Sequence, residues 1–75
     1  MSELAQGAAL MIVVNGEQRA FQSGGTVADL LIAIGIDNGR VAIERNLQIL
    51  PRVEWVTTQV AAGDRYEIVQ FVGGG

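Results

Sequence analysis

A single amphipathic helix is all the helical surface this chain offers. Val27, Leu30, Leu31 and Ile34 fall at i, i+3, i+4 and i+7, which lines four large aliphatics along one stripe. Thr26 precedes them as N-cap, and Asp29 follows it by three residues, a near relative of the capping box that also sets a carboxylate in the positive first turn. Gly35 supplies a left-handed cap at the other end, with Ile36 placed to fold back on the helix. One helix covers one face of one sheet, so the remaining residues must build that sheet. In a chain of 75 residues each buried aliphatic counts, because a domain this small is near the lower limit for a single core without metals or crosslinks.

The strand signals are short and separated by turn residues. Leu10 to Val14 is apolar and rich in β-branched residues, and Asn15-Gly16 after it signals a tight two-residue hairpin. Arg19 to Phe21 returns, and Ser23-Gly24-Gly25 is a loop leading to the helix. After the turn cluster Asp37-Asn38-Gly39, Val41 to Glu44 reads as a third strand, Asn46 as a turn, and Leu47 to Leu50 as a short strand ended by Pro51. Val53 to Val60 shows no clear period. Within it Trp55 is expected at the core edge, since a ring that large is seldom left wet; the alternative is an exposed anchor for a partner. Ala62-Gly63-Asp64 turns the chain, and Arg65 to Phe71 alternates as the last strand.

The order is α+β, and the last strand arrives after a long connection that lets it pair with the first in parallel. That predicts a β-grasp, the ubiquitin-like roll: a mixed sheet with one covering helix, spanning residues 10–71, with the last strand central. Residues 1–9 read as a flexible N-terminal extension and residues 72–75 as a flexible C-terminal glycine tail. Alternation then assigns faces. With Ile12, Val14, Val41, Ile43, Tyr66 and Ile68 turned toward the helix, Met11, Val13, Ala42, Glu44, Val69 and Phe71 take the other side. Met11, Val13, Val69 and Phe71 are expected to form an exposed apolar patch beside the root of the tail, the kind of surface that binds a partner.

Composition removes most function classes. There are no cysteines and no histidines, which excludes disulfides, thiolate or imidazole metal sites and Cys or His catalysis. A net charge of −3 disfavours a nucleic-acid partner and mildly favours a basic protein surface. All 5 basic residues are arginines, so no side-chain amine is present to accept an acyl group. Glu3 stands where a signal peptide carries basic residues, and no apolar run reaches membrane-spanning length, so a cytoplasmic location is expected. Gly24-Gly25 is not followed by the Gly-Lys-Ser/Thr of a phosphate loop.

The tail is the other informative stretch. No acidic, basic or nucleophilic side chain lies beyond Phe71, so chemistry in Val72-Gly73-Gly74-Gly75 belongs to backbone or to a terminal carboxylate. Glycines without Cβ thread a channel too narrow for other residues, which suits an arm presented to a partner's active site. A disordered end or an expression scar has the same composition.

Val14-Asn15-Gly16-Glu17, Thr26-Val27-Ala28-Asp29-Leu30-Leu31, Val41-Ala42-Ile43-Glu44-Arg45-Asn46, Pro51-Arg52, Gly63-Asp64-Arg65 and Val72-Gly73-Gly74-Gly75 together resemble the ThiS family of sulfur carrier proteins of thiamine biosynthesis. Order, spacing and the diglycine end carry the resemblance from about Leu10 onward; the segment before Met11 departs from the usual family start. The resemblance implies a protein co-substrate, not an enzyme. Its Gly75 carboxylate would be adenylylated with ATP by a ThiF-like adenylyltransferase, converted to a thiocarboxylate through a sulfur donor protein, and used by a ThiG-like thiazole synthase. Gly73, Gly74 and Gly75 would be the reaching arm, with Gly73 one more than the minimum pair. The chain itself is expected to bind no cofactor, the ATP being held by the activating enzyme. The small subunit of molybdopterin synthase, a MoaD-like carrier, and a ubiquitin-like interaction module or modifier are the competing readings.

Overall fold

The structure, a computed structural model, describes residues 8–36 and 39–71. The glycine tail, most of the N-terminal extension and the Asp37-Asn38 part of the predicted turn lie outside the described residues. In order the elements are β1 (Ala9–Val14), β2 (Glu17–Gln22), α1 (Val27–Ala33), β3 (Val41–Arg45), β4 (Gln48–Ile49), a 3₁₀ turn (Arg52–Glu54) and β5 (Arg65–Gln70). They form a 5-stranded sheet in the order β2-β1-β5-β3-β4. β1 and β5 run parallel at the centre, and the other neighbours are antiparallel. This is the predicted β-grasp. Strand β1 begins at Ala9, within the stretch read as extension, and the Ser23 N–H donates to Ala8 O at 3.1 Å.

Two hairpins of the same geometry set the sheet edges. Asn15 (φ 51°) and Gly16 (φ 85°) both take positive φ between Val14 and Glu17, which face each other in register. That is the two-residue turn whose twist matches paired strands. Asn46 (φ 53°) and Leu47 (φ 72°) repeat it between Arg45 and Gln48. The predicted strand Leu47 to Leu50 therefore shrinks to Gln48–Ile49: Leu47 is consumed by the turn, and Leu50 gives one hydrogen bond to Ile43 O before Pro51, which has no N–H to continue the ladder.

The helix is closed at both ends. Thr26 Oγ1 accepts from the Asp29 N–H at 3.2 Å while Asp29 Oδ2 accepts from the Thr26 N–H at 3.0 Å, completing the capping box. At the C-terminus Ile34 is the cap, and the N–H groups of Gly35 and Ile36 donate to the carbonyls of Ile32 and Leu31, a Schellman motif with Gly35 at φ 80°. The stretch Val53 to Val60, without period in the sequence, wraps the helix start. Thr58 O and Trp55 O accept from the N–H groups of Val27 and Ala28, donors a helix leaves without intrahelical partners. The Val60 N–H in turn donates to Gly25 O at 2.9 Å.

Trp55 is buried, its Nε1 donates to Leu50 O at 3.0 Å, and the Arg52 guanidinium lies 4.8 Å from its ring centre. It is a core residue, so the exposed-anchor alternative is excluded. Ile12, Val27, Leu30, Leu31, Ile43 and Tyr66 are the most deeply buried side chains, with Val41 and Ile68 beside them and Val14 and Ile34 half-buried at the margin. Gly25 is required by packing: a Cβ there would lie 2.6 Å from Phe21 Cε2.

Candidate functional site

The strand that leads into the glycine tail is the middle strand of the sheet. On its inner side Tyr66 and Ile68 are buried, and on its outer side Arg65, Glu67 and Val69 are exposed. Register places Val69 opposite Ala42 and Glu67 opposite Glu44 on β3, with Ile49 of β4 beyond Glu44. The Phe71 N–H donates to Arg40 O at 2.8 Å, so the β3 ladder holds the chain up to the last described residue. Met11, Val69 and Phe71 are 51%, 53% and 55% exposed, which confirms the predicted facing, and Val13 is half-buried.

The expectation of one apolar patch is corrected. Val13 is level with Arg65, and Met11 O accepts from the N–H of Gly63 in the turn just before β5. Val69 is four residues further along than Arg65, roughly 13 Å at strand spacing, and Phe71 lies beyond it. The outer face thus has an apolar end at the tail, made by Ala42, Val69 and Phe71, and a second at Met11 and Val13. Between them runs a charged band of Arg65, Glu67 and Glu44. Alternation determines which face a residue takes; only the parallel register determines how far along the sheet it lies.

Glu44 and Glu67 face each other directly, and like charges in that position are unfavourable unless a cation comes between them. Ile49, 68% exposed, stands opposite Glu44 beside this band, and Leu47, 87% exposed, lies in the turn between β3 and β4. Neither was singled out from the sequence as exposed, because Leu47 sits in a turn that lacks the usual glycine.

At the opposite end of the outer strands a buried polar cluster closes the turn before β5. Asp64 Oδ2 accepts from the Ala61 N–H at 2.9 Å, Arg45 Nε at 3.1 Å and the Tyr66 hydroxyl at 2.7 Å, and Oδ1 accepts from Asn46 Nδ2 at 3.1 Å. Burial pushes this carboxyl up, but the hydrogen bonds from Ala61, Asn46, Tyr66 and Arg45 outweigh it and hold Asp64 below the ordinary aspartate value. Tyr66 is pushed up to about 12 by burial and by its bond to Asp64. Both carboxylate oxygens of Asp64 and the Tyr66 hydroxyl are engaged within the fold, so the cluster is a structural lock.

Among the described residues no group of acidic, Cys or His side chains could hold a metal ion. An open groove of about 420 Å³ between β2 and α1 is lined by Ala20, Phe21, Gln22, Asp29, Ile32 and Ala33; its one carboxylate is engaged in the helix cap. The loop Gly24-Gly25 is no phosphate cradle, since the helix N–H groups behind it are taken by Trp55 and Thr58. No helix among the described residues is long and apolar enough to cross a membrane.

The ThiS family model matches residues 12–75, from the first strand through the glycine run. The chain belongs to the ThiS family. It is 35% identical over 66 residues to the sulfur carrier protein ThiS of Bacillus subtilis (strain 168), covering 87% of this chain and all of that one. The crystal structure of the thiamine biosynthesis protein ThiS from Geobacter metallireducens superposes with a TM-score of 0.73 at 30% identity, covering 88% of this chain and 100% of that chain. A thiazole synthase from Paramagnetospirillum magneticum is 46% identical over 66 residues, and one from Magnetococcus marinus 33%. Each match takes in 88% of this chain, which spans 20% of the length of these two relatives.

Proposed function

We propose that this ThiS-family chain is a sulfur carrier of thiamine biosynthesis whose Gly75 carboxylate becomes a thiocarboxylate. The observation that carries the reading is the family match, which includes the glycine run and joins it to the central strand of the sheet. A carboxylate with pKa near ~3.5 is ionised at neutral pH and is a poor electrophile. Its oxygen must first attack the α-phosphorus of ATP, releasing pyrophosphate and leaving an acyl adenylate from which a sulfur nucleophile displaces AMP. A ThiF-like enzyme supplies the nucleotide site; the described residues offer no side chain for that chemistry. The apolar end at Ala42, Val69 and Phe71 docks the enzyme beside the tail, and the facing Glu44 and Glu67 suit a basic side chain on the partner.

A thiazole synthase, ThiG-like, is the proposed acceptor of the sulfur. Two relatives of that name contain a segment like this chain within a much longer polypeptide, and covalent linkage of a carrier to its acceptor raises their effective concentration. The same relatives favour the thiamine route over the molybdopterin one. Intact mass spectrometry tests the reading. With ATP, a ThiF-like enzyme and a sulfur source, the chain should gain the mass of one oxygen-to-sulfur replacement. Deletion of Gly74 and Gly75 should abolish that gain without unfolding the domain; thiolation of the truncated chain would place the reactive group elsewhere.

A further inference from the structure

The parallel seam between β1 and β5 is short. Only Val13↔Arg65 and Val14↔Tyr66 are in register before β1 turns away at Asn15. The Asn15 backbone N–H donates to Tyr66 O at 2.8 Å, and then its side chain takes over the work of a strand. Asn15 Oδ1 accepts from the Ile68 N–H at 2.7 Å while Asn15 Nδ2 donates to Ile68 O at 3.1 Å. The carboxamide, one acceptor and one donor side by side, reproduces the pairing that a further β1 residue would give. Among the described residues these are the last hydrogen bonds that β5 makes on its β1 side before the tail. Asn15 tolerates the positive φ needed here better than most residues, so one side chain both turns the hairpin and extends the ladder.

We infer that Asn15 is a positioning residue for the C-terminal tail, fixing the direction in which β5 delivers it to the activating enzyme; this rests on the sulfur carrier reading. Four residues follow Phe71, the last residue that β3 holds, and a fully extended arm of that length reaches at most about 14 Å. At that reach a change of about 20° in the twist of β5 where it leaves the sheet carries the last residue about 5 Å sideways. Docking does not need Asn15: Val69 and Phe71 stay aligned on β3 through Val69↔Ala42 and the bond from Phe71 to Arg40. The aim of the arm at the nucleotide is a requirement of the reacting complex, so its loss falls on kcat and not on KM.

Asn15→Gly separates the two tasks, since glycine accepts the positive φ of the turn but has no carboxamide. In pyrophosphate exchange with a ThiF-like enzyme and ATP, kcat should fall about tenfold or more with KM within about twofold. Hydrogen exchange at the Ile68 amide should accelerate in the same variant. Asn15→Asp keeps the acceptor for that amide but sets an oxygen against Ile68 O, so its amide should stay protected better than in Asn15→Gly while kcat still falls. Val60→Ala, a buried change distant from β5's end in sequence, serves as the stability control and should hold its kcat where the protein is folded. Wild-type kcat in Asn15→Gly despite accelerated exchange at Ile68 would overturn the inference, as would an equal loss of kcat in Val60→Ala. If the wild-type chain supports no exchange of pyrophosphate, the carrier reading itself fails, and the Asn15 assignment falls with it.

Discussion

Asp64 shows how much one buried side chain can couple to pH in a small fold. Its folded pKa lies below the ordinary aspartate value, so its contribution to stability is present above about pH 4 and is lost as pH falls through the folded value. Tyr66 works in the opposite direction. Its folded pKa is raised to about 12, so the stability of the neutral phenol is complete below the ordinary value near ~10 and declines as pH rises from there toward 12. Asp64→Asn should cost about 1–3 kcal/mol at neutral pH, because an amide cannot accept from all four donors at once, and it should flatten the acid limb of a melt-versus-pH series. An unchanged acid limb would assign that limb to other carboxylates. In the sequence Asp64 reads only as a turn residue, since Arg45 and Asn46 lie 19 and 18 positions away. The same holds for Asn15, whose side-chain bonds to Ile68 span 53 positions while its Asn-Gly turn is local and plainly visible.

At the scale of elements, what was legible is what is stabilised locally. The helix announces itself because its stripe, its capping box and its glycine stop all lie within a dozen residues, and the first hairpin because Asn-Gly encodes both positive φ values. The Asn46-Leu47 turn was half hidden, since leucine is an unusual occupant of φ 72°. The segment Val53 to Val60 was opaque because its order comes from capping a helix that begins some thirty residues earlier. Facing was legible too, and it can be tested energetically. Leu31→Ala should cost about 2–5 kcal/mol, as Leu31 is fully enclosed by the core, a large part of what so small a domain possesses. Val69→Ala, with its side chain on the open face, should cost well under half as much in denaturant melts. Equal losses would show that the exposed face is covered in solution.

For the molecule as a whole, the decisive geometry is that the central strand overruns its parallel neighbour and carries the apolar end of the open face to the start of the tail. The two ends of that face then need not serve the same purpose. Phe71 is aromatic, 55% exposed and separated from the glycines by Val72 alone, so under the proposed carrier function burying its ring against an activating enzyme would supply affinity at the place where the arm begins. Met11 is comparably exposed, but it lies beside Gly63, at the far end of β5 across the charged band. Phe71→Ala should therefore raise KM for the carrier severalfold with little change in kcat, the pattern of an interaction made equally in ground and transition states. Met11→Ala should change KM by less than twofold. A fall in kcat at constant KM for Phe71→Ala would mean that the ring aligns the carboxylate as well as anchoring the domain. The reverse ranking of the two variants would move the docking site to the β1 end of the sheet, and the enzyme would then have to span the charged band, making Glu44 and Glu67 the next residues to substitute.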